Sequence, residues 1–311
     1  ITQLDLLNLC DYMTLDPSTL RNLELVRPLN ADDVSSTLCS VLDFSITAMG
    51  GRLLREWISH PLISVSKITK RQNAVSELAE SPILLSELKS ALFSILDMER
   101  LMGRIGSGRA NARDLAGMGR SLVQASQVSA VLANANSLAL QELAQTLSLA
   151  AGHGESILAC LRDDLPLTVR EGKMIREGAC PSLDAMNEEI REKREWIASL
   201  ESRERERLGI PTLKVGYNKV FGYYIEVTRT HTDKVPENYL RKQTTVNSER
   251  YITPEMKECE SVIANAEVRI HAEEYRLFCE LRDKVEASRD VYQKIASAIA
   301  AVDVFYSLAC A

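Results

Sequence analysis

Residues 183–208 read LDAMNEEIREKREWIASLESRERERL, and this stretch decides the fold. Leu183, Met186, Ile190, Ile197 and Leu200 recur at steps of three and four, with Lys193 the one polar residue on that line. Acidic and basic residues fill the other positions: Glu188, Glu189, Arg191, Glu192, then Arg203 to Arg207 in alternating sign. A narrow apolar seam flanked by mixed charge predicts a long helix that pairs with one partner, not a helix sunk in a core. At 1.5 Å per residue it should run about 39 Å.

After Gly209-Ile210-Pro211 the period changes. Leu213–Tyr217 and Tyr223–Thr228 alternate and are rich in β-branched and aromatic residues, with Asn218-Lys219 and Gly222 supplying a turn. A second β-like stretch surrounds Gln243–Val246 and Arg250–Thr253. From Pro254 onward a helical seam resumes through Met256, Cys259, Ile263, Ala266, Ile270, Leu277, Leu281 and Val285. Two helices with matching seams around a β insert predict an antiparallel pair with a small antiparallel sheet at its tip. The expected domains are a helical body over 1–194 and 256–311, and an inserted β module over 195–255.

Between Pro211 and Lys257 the basic residues are Lys214, Lys219, Arg229, Lys234, Arg241, Lys242, Arg250 and Lys257, and the acids are Glu226, Asp233, Glu237, Glu249 and Glu255. Eight less five gives +3, in a chain whose formal charge is -6. A locally positive module is a candidate contact for a phosphate backbone. A solvated hairpin surface accounts for the same charge, and charge alone does not separate the two. Arg203, Arg205 and Arg207 read as a solvated helix face near that module. Tyr223 and Tyr224 must point to opposite faces, so one belongs to the sheet's core.

The remainder, from Leu4 to about Thr168, is helix after helix. Asp16-Pro17 is a helix-start signal. A helical segment over Thr37–Trp57 is expected to break near Gly50-Gly51, and Pro61 and Pro82 bracket another through Ile68, Val75 and Leu78. Leu84–Leu101, Arg113–Val131 and Leu138–Ala150 follow. The fold class is therefore mainly α.

Composition narrows the function. The 311 residues allow about two domains. A chain with 26% charged residues and no uninterrupted apolar run of about 18 residues reads as non-membrane, without a signal peptide. Ile1 at the start and a helical pattern still running at Ala311 read as cuts from a longer chain. The seven cysteines are scattered and never in C-x-x-C, and the four histidines lie far apart, so neither structural zinc nor disulfides are expected. Gly172-Lys173 is followed by Met174 and lacks the upstream glycine of a phosphate loop; Gly106-Ser107-Gly108 lacks the strand a dinucleotide motif requires. No enzymatic activity is expected of these residues.

Several runs resemble one family. Leu213–Asn218, Phe221–Ile225, Asn238–Thr244 and Asn247–Glu255 are similar to the clamp of the MutS DNA mismatch-repair proteins. Ser40–Asp43, Thr47–Trp57 and His60-Pro61-Leu62 are similar to the start of that family's core, or lever, and Asn22–Leu25 and Asp97–Leu101 fit as well. The resemblance covers essentially the whole chain in order. It implies a helical lever interrupted by a β clamp that holds double-stranded DNA by its backbone. It also implies a full-length bacterial cytoplasmic, nucleoid-associated homodimer with a MutL-like partner, whose ATP and magnesium belong to a domain that follows. By the same resemblance Asn218 and Asn247 are the amide donors to phosphate, with Lys242, Arg241, Lys214 and Arg250 as nearby cations. Two positions depart from the pattern: Val246 stands beside Asn247 where relatives can carry a lysine, and Ala179-Cys180-Pro181 replaces more polar residues. The competing class is a coiled-coil scaffold that grips a protein partner.

Overall fold

A computed structural model of the chain describes residues 11–29, 36–218 and 222–311. It divides into two compact units, one formed by 1–169 with 279–311 and the other by 170–278. Among the described residues it is mainly helical with one four-stranded sheet, as the periodicity predicts.

The first unit holds α1 (Pro17–Asn22), α2 (Leu38–Leu42), α3 (Ala48–Ser59), α4 (Val65–Ala79), α5 (Pro82–Phe93), α6 (Met98–Gly106), α7 (Ala112–Val131), α8 (Leu138–Leu147), α9 (His153–Cys160) and, at its far end in sequence, α12 (Arg289–Cys310). The helix starts follow local chemistry. Asp16 accepts the Ser18 and Thr19 N–H groups ahead of Pro17, and Asn111 and Asp114 form a reciprocal capping box on α7. The core helix is α12, whose Ile295, Ile299, Val302 and Phe305 are buried. By length and composition this helix could span a bilayer, although the sequence holds no long unbroken apolar run. Here its apolar residues are core.

Two expectations for this unit change. Gly50-Gly51 does not break a helix; both glycines lie in the first turn of α3, and the break falls over 43–47 just before it. The reason is the Asp303 carboxylate of α12. It takes the Ile46 N–H at 2.9 Å and both the N–H and hydroxyl of Thr47 at 2.7 Å. A Cβ on Gly50 would fall on that carboxylate, so the glycine makes space for a buried cap. The single segment expected over Leu84–Leu101 is two helices, because Asp97 caps α6 by accepting the Arg100 N–H. The same Asp97 receives a two-pronged contact from Arg52, at 2.8 Å on each oxygen. Trp57 packs edge-on to Phe305, with the Arg71 guanidinium 3.4 Å above its ring. Arg52 and Trp57 are therefore packing residues.

The second unit is built on α10 (Pro181–Leu208) and most of α11 (Pro254–Ala287). Ile190 and Ile197 pack against Cys259, Ile263 and Ala266, with Trp196 and Ile270 beside them. Arg194 pairs with Glu267 at 2.7 Å and Ser182 bonds Glu273 at 3.3 Å, so the helices run antiparallel. Late in α11 the buried position is Phe278, one residue beyond the expected Leu277. Gly209, in the left-handed conformation, ends α10.

Between the helices lie β1 (Lys214–Asn218), β2 (Gly222–Thr228), β3 (Leu240–Thr244) and β4 (Ser248–Ile252), antiparallel in the order β1-β2-β4-β3. Ile225, Val227, Tyr251 and Ile252 face Leu200, Ile210, Leu213 and Met256 and form the core of this end. The third strand begins earlier than expected, at Leu240, so Thr245 and Val246 fall in the β3–β4 turn.

Candidate nucleic-acid interface

Register sorts the sheet's residues by face. Lys214 lies opposite Glu226, Glu226 opposite Arg250, and Arg250 opposite Gln243. These four form one polar row across all four strands, on the face away from the apolar cluster, since Ile225 and Val227 point the other way. Tyr224 shares the outer face. Tyr223 packs with Tyr217 at 4.9 Å on the inner one.

The six residues singled out by resemblance take distinct places in this frame. Asn218 ends β1 opposite Gly222 and is half-buried. Asn247 is exposed in the β3–β4 turn, beyond the Thr228–Ser248 pair. Gly222 and Thr228 are the two ends of β2, so the two amides stand at opposite ends of the sheet, roughly 20 Å apart at 3.3 Å per residue. Lys214 is exposed on β1 and Lys242 on β3, the two edge strands, which three strand spacings hold about 14 Å apart. Lys242 sits where β3 shifts register between Arg241 and Gln243. Arg241 is exposed and makes a long 3.4 Å contact to Glu249. Five of the six therefore ring the sheet's margin.

Arg250 is the exception. Its Nε donates to Glu226 at 2.9 Å, its Nη1 donates to Gln243 at 3.0 Å, and its guanidinium lies 4.4 Å from the Tyr224 ring centre. That ring needs the space above Gly216 on β1, where a Cβ would approach it to 2.8 Å. Gly216 thus serves a close approach, whereas Gly222 has a left-handed φ of 76° and turns the chain.

The turn carrying Asn247 is stiffened from several sides. Thr245 donates its N–H to the Ser248 carbonyl at 2.8 Å, and its hydroxyl meets the Ser248 hydroxyl at 2.7 Å. Arg229 reaches the Thr245 carbonyl at 3.0 Å, and its own N–H bonds the Asn247 carbonyl at 3.2 Å. Sequence reasoning missed Arg229 as a support for this turn. A further hydroxyl row, Thr212–Thr228–Thr230, occupies the same end at 3.0 and 3.2 Å.

The helix arginines near the sheet are engaged. Arg205 pairs with Glu201 and donates to the Leu213 carbonyl at 2.6 Å; Arg207 pairs with Glu204; Arg203 lies over Trp196. Glu204 also receives the Tyr239 hydroxyl at 2.6 Å. Burial and that neighbouring carboxylate hold the Tyr239 phenol well above its ordinary range. Tyr251, buried and donating to Glu249, is pushed up to about 12. Both phenols stay neutral donors that lock the module. Lys214 and Lys242 make no ion pair among the described residues. No cluster of His, Cys, Asp or Glu suited to a metal occurs among the described residues.

Comparison with known proteins assigns this arrangement to a family. The family model for MutS domain III matches residues 18–309. The chain is 42% identical over 309 residues to a DNA mismatch repair protein MutS of Halothermothrix orenii, covering 99% of this chain and 34% of that protein. It is 46% identical over 299 residues to the protein of the same name from Pelotomaculum thermopropionicum, covering 96% and 35%. The Thermosynechococcus vestitus protein is 44% identical over 302 residues, covering 97% and 35%. The chain therefore spans about a third of the length of the relatives it matches, and over nearly all of its own length it belongs to the MutS domain III family.

Proposed function

We propose that this chain is the lever and clamp of a DNA mismatch-repair protein, and that its β module over 195–255 grips duplex DNA by the backbone without reading sequence. The observation that carries the reading is the sheet's margin. Exposed Lys214, Lys242 and Asn247 surround a sheet whose own acids Glu226 and Glu249 are drawn into contacts with Arg250 and Arg241. Cations and amide donors on an exposed rim suit phosphate oxygens, and such contacts position a protein without specifying sequence. Arg241 contributes through its exposed, loosely held guanidinium, and Asn218 from the opposite end.

In this reading mismatch preference, ATP hydrolysis with magnesium, homodimer formation and docking of a MutL-like partner belong to the full-length bacterial protein in the nucleoid-bearing cytoplasm. The chain itself performs no catalysis. Protein-dependent phosphate release that survives repurification would contradict that.

The test is a fluorescence titration against a random-sequence duplex at several salt concentrations. A rim that neutralises about four phosphates should bind in the range of about 10⁻⁴ to 10⁻⁶ M, with a slope of log K against log salt of roughly −3 to −4. A G·T duplex should bind no better than its homoduplex. Salt-independent binding, or none at low salt, would favour a scaffold for a protein partner instead.

A further inference from the structure

Arg250, the one candidate residue placed at the centre of the sheet, differs from the five residues at its margin. Arg250 sits on β4, is ion-paired to β2 through Glu226 and hydrogen-bonded to β3 through Gln243, and covers Tyr224, whose ring crosses β1 at Gly216. From β4 this side chain contacts groups on β2 and β3 directly, and β1 only by way of the Tyr224 ring. Its planar fork serves two acceptors at once while its face lies against an aromatic ring, a combination that a lysine ammonium does not reproduce.

The sheet needs such a tie. It has only one apolar face, and its strands are five to seven residues long. Small sheets of this kind draw their stability from cross-strand pairs as much as from burial. β3 is also interrupted by the irregularity at Lys242. Without the Arg250–Gln243 bond, the edge strand bearing Lys242 would be held by its main chain, by the long Arg241–Glu249 contact and by the Thr245–Ser248 contacts at its end.

Resting on the clamp reading above, we propose that Arg250 is a positioning residue: it fixes the spacing between the rim groups Lys214, Lys242 and Asn247 and does not itself take a phosphate. Two polar partners and a ring already occupy its guanidinium. The Glu226 and Gln243 bonds take its Nε–H and an Nη1–H, and the Tyr224 ring lies against its face, so the sheet sets the orientation of the guanidinium.

The two roles predict opposite signs for one substitution. Glu226→Gln removes an anion from the outer face and frees Arg250. If Arg250 contacted phosphate, this variant would bind duplex more tightly and with a steeper salt slope. If Arg250 positions the rim, binding should weaken about three- to tenfold with the slope unchanged, because a coupled network is broken while no phosphate contact is lost.

The experiment compares the 311-residue chain with Glu226→Gln, Arg250→Lys and Lys242→Ala, by duplex titration across salt and by amide hydrogen exchange. The expected result is weaker binding with an unchanged slope and faster exchange in β2, β3 and β4 for the first two variants. Lys242→Ala should instead lower the slope by about one and leave exchange as it was. Tighter binding by Glu226→Gln, or an Arg250→Lys variant that binds and exchanges like the parent, overturns the proposal. Should the parent fail to bind duplex at all, the clamp reading falls. The exchange arm then still decides whether Arg250 ties the strands, and unchanged exchange in both variants would reject it.

Discussion

The Glu274 carboxylate, on α11 and only 5% exposed, accepts the Lys173 N–H at 2.7 Å and the Met174 N–H at 3.1 Å. Gly172 and Lys173 both adopt left-handed backbone conformations, at φ 68° and 58°, which turn successive N–H groups toward one point. Such a concavity is an anion nest, and here a side chain of the same unit fills it. The segment leading into α10 is thereby bolted to the middle of α11.

Removing the bolt should be costly. Glu274→Ala leaves buried N–H groups without an acceptor and should lower the unfolding free energy by about 2–3 kcal/mol, the range for hydrogen bonds to a charged group. Lys173→Gly tests the same site from the other side. A left-handed non-glycine residue costs about 1–2 kcal/mol, partly offset by the greater freedom of glycine when unfolded, so this variant should gain about 0.5–1 kcal/mol. Urea denaturation of both variants checks the pair; a Glu274→Ala chain as stable as the parent would remove the nest from the list of stabilising contacts.

Asp303 offers a prediction in pH. Burial raises its carboxyl above the ordinary 3.8, with the Asp43 charge adding to the rise, against hydrogen bonds from Ile46 and Thr47 that pull it down. The folded state then holds this proton more tightly than the unfolded chain does. Its contribution is complete below 3.8 and is lost as pH rises through the higher folded value. Relative to Asp303→Asn, the parent should lose stability as pH climbs from about 4 toward neutrality. Gly50→Ala, which drives a methyl group into the same carboxylate, should cost about 3 kcal/mol or more at any pH. Parallel denaturation curves at each pH for parent and Asp303→Asn would show that this carboxyl does not titrate with folding.

What the sequence revealed and what it hid follow from the range of the interactions. The α10 seam and the alternation at Leu213–Thr228 were legible because they are local periodicities that each residue's neighbours enforce. Asp97 and Gly50 misled for the same reason in reverse. Asp97 looks like helix interior until its capping of Arg100 is seen, and Gly50 looks like a breaker until Asp303, 253 residues later, is placed against it. Glu274 falls on the buried side of its helix, where periodicity expects an apolar residue, because its partners are main-chain groups a hundred positions away. In the β module, the strands and the positive balance could be read, but not the division between rim and centre. Arg241 and Arg250 look alike in sequence, and only the register of β3 against β4 shows one at the margin and the other over Tyr224 and between two acceptors.

Arg52 and Asp97 give a test of geometry against charge. The two-pronged contact at 2.8 Å on each oxygen links α3 to the start of α6, and Glu99 adds a third contact at 2.7 Å. Arg52→Lys keeps the charge and loses the fork, which a lysine cannot replace on a planar carboxylate. Because the arginine side chain is itself about a third exposed, solvent screens part of the interaction, and the expected loss is modest, about 1 kcal/mol. Thermal unfolding measures it. A loss of several kcal/mol would mean that Asp97 depends on Arg52 for its capping role as well.

The β3–β4 turn permits a gain of function. Val246 is 84% exposed at a turn that Thr245, Ser248 and Arg229 already hold in place. A β-branched residue there buries nothing, and replacing it should leave the fold unaltered. Val246→Lys puts a cation beside Asn247, at the end of the sheet where the proposed phosphate contact lies. Each added phosphate contact should steepen the slope of log K against log salt by about 0.9 and tighten binding most at low salt. Asn247→Glu should do the opposite and more, since it replaces a neutral donor with an anion aimed at phosphate and so adds repulsion to a lost hydrogen bond. Arg120→Ala, an exposed change on α7 in the other unit, serves as the control and should alter neither affinity nor slope. The measurement is the same duplex titration across salt for all three variants. If Val246→Lys and Asn247→Glu both bind as the parent does, the turn does not face DNA, and the contact must lie at the Asn218 end of the sheet or outside this module.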